Sequence, residues 1–194
     1  MNKIILERKS IKKYSQIAVE DEKIHLLFKA ASLAPSSYNE QPWSFIMARS
    51  NDLQNFNNLL SLMSEKNKEW AKDAPLIVLA AAKRNLTIID KPNKYYFYDV
   101  SSAVANLTYQ ALSMDLYVHQ IGGFDVHRAK TALNIPDEYE PVVMLVIGYN
   151  AEQVTKTNIH SRIRKPISDF VFEKKFGNPA KINNEVLLIS SGDK

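Results

Sequence analysis

The chain has 194 residues, 45% of them hydrophobic and 24% charged, a size and balance that fit one large globular domain and exclude disorder or a coiled-coil rod. No run approaches the ~18–20 apolar residues of a membrane span, and with no cysteine there are no disulfides, thiolate metal sites or cysteine nucleophiles. The net charge of +4 is uneven: residues 1–13 carry +4, residues 154–175 carry +4, and the remainder is mildly acidic. Each basic cluster fits either a solvated face or, if the fold joins them, half of an anion site. Ile4-Ile5-Leu6 runs directly into Glu7, Arg8 and Lys9 instead of an apolar leader, so the expected location is the cytoplasm.

In chain order, Ile24, Leu27, Phe28 and Ala31 recur at helical spacing and predict a helix over 22–33, ended by Ala34-Pro35. Phe45 to Ala48 reads as a short buried strand. Asp52 can cap a helix carrying Leu53, Phe56, Leu60 and Met63 on one face. The continuous apolar run Leu76 to Ala82 suits a central strand. Val100, Ala103, Val104, Leu107, Ala111 and Met114 predict a helix from Asp99, buried on several sides. Tyr117 to His119 is a short strand candidate, and Val142 to Ile147, opened by Pro141, is the strongest strand pattern in the chain. The expected fold class is α+β, a three-layer α/β/α sandwich, as one domain over 1–176 followed by a C-terminal tail over 177–194.

Common catalytic motifs are missing. His25, His119, His127 and His160 have no metal-ligand spacing, and there is no nucleophile elbow, phosphate loop or dinucleotide fingerprint. Four segments instead suit a phosphate and a flat polar ring. Arg8-Lys9-Ser10-Ile11-Lys12 alternates so that an extended segment puts Arg8, Ser10 and Lys12 on one side, a fork, a hydroxyl and an ammonium for one anion. Pro35-Ser36-Ser37-Tyr38-Asn39-Glu40-Gln41-Pro42-Trp43 is a proline-bounded loop rich in hydroxyl and amide groups. Ile121-Gly122-Gly123 can offer bare backbone N–H groups, or be an ordinary turn before Asp125. Arg162 and Arg164 form a second alternating basic pair before Pro166.

In this order, with the helix after Asp99 and the strand end Val146-Ile147-Gly148-Tyr149, these segments resemble the nitroreductase family of FMN-dependent oxidoreductases over roughly residues 4–172. The resemblance implies FMN bound without a covalent link at the interface of an intertwined homodimer. It assigns the phosphate and ribityl chain to Arg8, Lys9, Ser10 and Lys12 with Arg162 and Arg164. It brings Pro35, Ser36, Ser37 and Asn39 from the partner subunit, and sets Asn67, Ile121, Gly122 and Gly123 at the flavin ring.

NAD(P)H would then reduce the flavin and a small oxidised acceptor, a nitroaromatic or quinone, would reoxidise it in ping-pong fashion, with no nucleic-acid, membrane or metal partner. No catalytic side chain is named, because the flavin carries the electron chemistry. A reductive dehalogenase, a flavin-consuming enzyme or a flavin-binding protein without turnover are alternatives on the same fold. Lys12 stands where arginine is common, keeping the charge but losing the fork. Both turn positions are glycine where some members carry glutamate. Tyr95, Tyr96, Phe97 and Tyr98 are candidates for either a substrate pocket or packing.

Overall fold

The computed structural model describes residues 1–87, 91–152 and 163–182. It divides into two compact units, Met1–Thr155 and Lys156–Lys194. In the first unit, helices α1 (Lys3–Glu7), α2 (Asp21–Ser32), α3 (Leu53–Ser61), α4 (Glu65–Ala71), α5 (Tyr96–Ser113) and α6 (Val126–Ala132) accompany strands β1 (Trp43–Arg49), β2 (Leu76–Lys83), β5 (Leu116–Ile121) and β6 (Tyr139–Tyr149). A small ribbon pairs β3 (Asn85–Leu86) with β4 (Lys91–Pro92). The second unit holds a 3-10 turn at Ile167–Asp169 and an antiparallel bridge between Phe172 and Pro179.

The main sheet has the order β1-β2-β6-β5, and every neighbouring pair is antiparallel. Side chains alternate across a strand, so the run Leu76 to Ala82 feeds two cores at once. Leu76, Val78, Ala80 and Ala82 face one, packed by α2 (Ile24, Leu27, Ala31) and α5 (Val100, Ala103, Leu107, Ala111). Ile77, Leu79 and Ala81 face the other, packed by α3 (Phe56, Leu59), by Ala71 and Trp70 of α4, by Ala129 of α6, and by Ile11 and Tyr14 of the N-terminal segment. A sheet buried on both faces reads as an unbroken apolar run, and that run is what located β2 in the sequence. The three-layer arrangement expected from the sequence is the one the chain adopts.

Several boundaries differ from the sequence reading, each for a local reason. Strand β6 starts at Tyr139, and Pro141 lies inside it, where the register against β2 shifts between Ala80 and Ala81. Proline has no N–H for the ladder and is tolerated at such an irregularity. Helix α5 begins at Tyr96, not Asp99, because Tyr96 packs on the first core one turn ahead of Val100. Leu53 at the start of α3 is exposed, and the buried residues of that helix are Phe56 and Leu59. Its cap is as expected: the Asp52 carboxylate accepts from the Asn55 backbone N–H at 3.2 Å. Among the described residues, no helix is long and apolar enough to cross a membrane.

Candidate functional site

The N-terminal segment is pinned at both ends. The Arg8 N–H donates to the Ile4 carbonyl at 3.1 Å and closes α1. Beyond the basic run, Ser15 N–H donates to the Tyr149 carbonyl at 2.9 Å and Ala151 N–H to the Lys13 carbonyl at 3.1 Å. A Lys13–Glu152 ion pair at 2.7 Å holds the Lys13 ammonium above its usual range and the Glu152 carboxyl below its own. Between these anchors Ile11 is buried and its carbonyl lies 2.7 Å from His119 Nδ1. The Arg8 guanidinium donates to Ser10 Oγ at 3.4 Å. Lys9 Nζ sits 5.6 Å from the Tyr117 ring centroid, and Lys12 Nζ 5.9 Å from that of Trp70.

Helix α4 connects this segment to the glycine turn. Asn67 and Trp70 are three residues apart and share a helix face. Trp70 meets Lys12, the Tyr14 ring at 6.3 Å and the His119 ring at 4.5 Å. Its Nε1 is buried with no hydrogen-bond partner among the described residues. Asn67 Nδ2 donates weakly to the Gly123 carbonyl at 3.5 Å, and Ser64 N–H donates to the same carbonyl at 3.1 Å. The turn itself, after Ile121 ends β5, is exposed: a Cβ added at Gly122 would meet nothing within 4 Å. Thus Lys9 meets β5 through Tyr117, Lys12 meets α4 through Trp70, and Asn67 on the same helix face as Trp70 meets the glycine turn that follows Ile121, with Arg8 and Ser10 neighbouring each other in the segment that carries the two lysines.

The loop over 35–42 is elsewhere. It leaves α2 on the other side of the sheet and enters β1, the opposite edge strand. With ~4.8 Å between neighbouring strands, β1 and β5 are about 14 Å apart across β2 and β6. Tyr38, Asn39 and Gln41 all have positive φ, at 54°, 55° and 49°, a left-handed backbone that costs non-glycine residues about 1–3 kcal/mol each. Polar bonds hold it there. Both Asp99 carboxylate oxygens accept from the Ser37 N–H at 3.3 Å, and Ser36 Oγ accepts from the Gln41 N–H at 3.0 Å. Glu40 accepts from the Thr87 N–H at 2.9 Å. Asp99 is itself buried, with Asn93 Nδ2 donating to it at 3.4 Å.

Of the remaining candidates, Arg162 lies outside the described residues, and Arg164 belongs to the second unit, where its guanidinium donates to the Ile163 carbonyl at 3.0 Å. Tyr95, Phe97 and Tyr98 are exposed, whereas Tyr96 packs on the first core and also lines an open cleft of about 590 Å³ with Arg84, Asn93 and Glu138.

A family model described as the nitroreductase family matches residues 5–149. The chain belongs to the nitroreductase family. An Archaeoglobus fulgidus protein that carries the provisional name NADH dehydrogenase/NAD(P)H nitroreductase is 29% identical over 157 residues, which cover 78% of this chain and 86% of that one. A solved structure described as an oxidoreductase containing FMN superposes with a TM-score of 0.82 at 25% identity, covering 92% of this chain and 93% of its own. An FMN-dependent nitroreductase of Clostridium difficile R20291 has a TM-score of 0.69 at 26% identity, covering 92% and 99%.

Around this candidate site, sequence reading gave no role to Tyr14, Trp70 and His119. One signal was available: Tyr117, His119 and Ile121 alternate along β5 and therefore face the same layer. Trp70 carried no such mark until α4 set it one turn from Asn67. The Tyr14 hydroxyl is buried and donates to the Val146 carbonyl at 3.0 Å; burial pushes its pKa well up, outweighing a bond from the His119 backbone. It is a structural phenol, not an acid at neutral pH.

Proposed function

We propose that this chain is an FMN-dependent oxidoreductase that uses NAD(P)H to reduce nitroaromatics, quinones or similar small acceptors, reductant and acceptor using one site in turn. The observation that carries this reading is the gathering of a cationic segment, an amide and an open glycine turn along one side of α4. The donor set fits FMN. A paired guanidinium and hydroxyl with two ammonium groups suits a phosphate, and the open space beside Gly122 suits the edge of a flat ring.

When bound, FMN supplies the two-electron relay between nicotinamide and acceptor. Arg8, Ser10, Lys9 and Lys12 hold its phosphate end. The Gly122 and Gly123 N–H groups and the Asn67 amide address its polar ring edge, and donors there favour negative charge on the ring.

The loop residues Pro35, Ser36, Ser37 and Asn39 complete the site of the other subunit of a homodimer. Their place on the opposite edge and layer supports this, because one chain cannot readily bring them to its own glycine turn. The exposed aromatics Tyr38, Tyr95, Phe97, Tyr98 and Tyr109 on the α2/α5 side supply apolar surface suited to such an interface.

The test is reconstitution of the purified protein with FMN, followed by anaerobic addition of NADH or NADPH and then a quinone or nitroaromatic. Bleaching of the flavin absorption by the nicotinamide and its return with the acceptor are expected, with parallel double-reciprocal plots in turnover. A protein that binds no FMN, or binds it and is not bleached, refutes the assignment.

A further inference from the structure

Three features of the molecule lie outside the assigned roles: the cleft beside Asn93 and Tyr96, the Glu20–Lys23–Tyr149 polar cluster, and the His119–Trp70 pair beneath the basic segment. The third has the tightest geometry. His119 Nδ1 and the Ile11 carbonyl are 2.7 Å apart and 108 positions apart in sequence. A carbonyl oxygen only accepts, so Nδ1 carries the hydrogen and the tautomer is set. His119 itself is fixed by its pairing with Val146 in the sheet and by the Trp70 ring at 4.5 Å.

We propose that His119 is a positioning residue for flavin phosphate: by clamping the Ile11 carbonyl to β5 it sets the backbone from Arg8 to Lys12, and so sets the preference for FMN over riboflavin. The inference rests on the reading that this segment holds the phosphate. Ile11 is the midpoint of the basic run, with Ser10 and Arg8 on one flank and Lys12 on the other. The anchors at Arg8 N–H and Lys13 carbonyl lie at the ends of the run. The His119 bond therefore acts on the peptide at the middle of the run, and Ile11 burial alone fixes a side chain rather than the peptide plane. Lys9 and Lys12 lie over the rings of Tyr117, two residues before His119 on β5, and of Trp70, which packs on His119. Preorganising several donors toward one anion raises affinity by lowering the ordering cost.

The experiment compares dissociation constants for FMN and riboflavin, read by flavin fluorescence quenching, in the full-length wild type and in His119→Phe, His119→Asn and Arg8→Ala. Phenylalanine keeps a ring against Trp70 and removes the donor; asparagine returns an N–H close to where Nδ1 lies. His119→Phe should weaken FMN about three- to tenfold and riboflavin less than twofold, and His119→Asn should restore most of the selectivity. Equal weakening of both flavins means a purely structural histidine and overturns the proposal. Unchanged selectivity in His119→Phe, with selectivity lost in Arg8→Ala, also overturns it while leaving the phosphate assignment intact. Unchanged selectivity in both means the phosphate lies elsewhere. If the phenylalanine variant does not fold, His119→Gln replaces it, because its amide overreaches the Nδ1 position; equal selectivity in the Asn and Gln variants then overturns the clamp.

Discussion

Gly148 offers a perturbation whose size can be worked from distances. It is buried in β6 opposite Tyr117, and a Cβ built there lies 2.5 Å from Pro75 Cδ, 2.8 Å from Pro75 Cγ and 3.1 Å from Tyr14 Cδ1. Carbon atoms pack at ~3.5–4.0 Å, so Gly148→Ala requires the proline ring to withdraw by about 1 Å. That ring cannot rotate away, because its φ is locked and the Pro75 carbonyl accepts from the Ser50 N–H at 2.9 Å. Overpacking of this kind costs about 1–3 kcal/mol. The lost glycine freedom of the unfolded chain returns about 0.4–1 kcal/mol. A net loss of about 1–2 kcal/mol corresponds to a fall in Tm of about 2–8 °C at this chain length.

The assay is thermal and urea unfolding of the apoprotein for Gly148→Ala, Pro75→Ala and the double variant. Removing the Cγ and Cδ atoms of Pro75 should relieve the clash, so the double variant should be more stable than the sum of the single losses by about 1 kcal/mol. Tyr14 stacks on Trp70 and anchors the segment that carries Arg8, so FMN affinity should fall with stability and recover with it. A Gly148→Ala protein that melts within 1 °C of wild type, or a cycle that is additive, refutes the steric account.

Further outcomes are expected. Asp99→Ala leaves the Ser37 N–H and Asn93 amide without their acceptor and should cost about 1–3 kcal/mol, with new protease cleavage in the 35–41 loop; Asp99→Asn should show a smaller loss by urea midpoint, and equal stability of all three proteins would contradict the buried contacts. His119 titrates below its ordinary 6.5 because burial disfavours the imidazolium, helped by the Lys12 charge and opposed by the bond to Ile11. The unfolded imidazole therefore takes up a proton first, so this contribution is complete above about pH 6.5 and declines on acidification toward the lower folded value. Urea midpoints from pH 7.5 to 5.5 should fall more steeply in wild type than in His119→Asn, and matching slopes would remove the effect. Arg8→Ala should weaken FMN about ten- to hundredfold while barely changing riboflavin, measured by fluorescence titration.

For the shared site, one variant carries Arg8→Ala and another carries bulky residues at Ser37 and Asn39. A mixed dimer purified with two tags should regain one working site, and a mixed dimer as empty as its parents would confine each flavin to a single chain.

Strands β2 and β6 and helices α2 and α5 were legible in the sequence because their apolar residues follow a period, or fill every position where both faces are covered. The candidate-site segments were legible as residue types in order: Arg8 to Lys12, Pro35 to Trp43 and Gly122-Gly123 can be read without a structure. Helices α1, α4 and α6 were not, since five to seven residues hold too few apolar positions for a period and their stability comes from packing.

It is through α4 that tertiary structure assembles the candidate site. Nothing in the spacing of Asn67 and Trp70 relates them to Gly123, His119 or Lys12, because those contacts depend on which layer the helix covers and on β5 lying at the sheet edge. The same holds for the loop: its prolines announce a rigid turn, but its position on the far edge from the glycine turn follows from the strand order β1-β2-β6-β5, whose pairings join residues as far apart in sequence as Leu76 and Ile147 and leave no local trace.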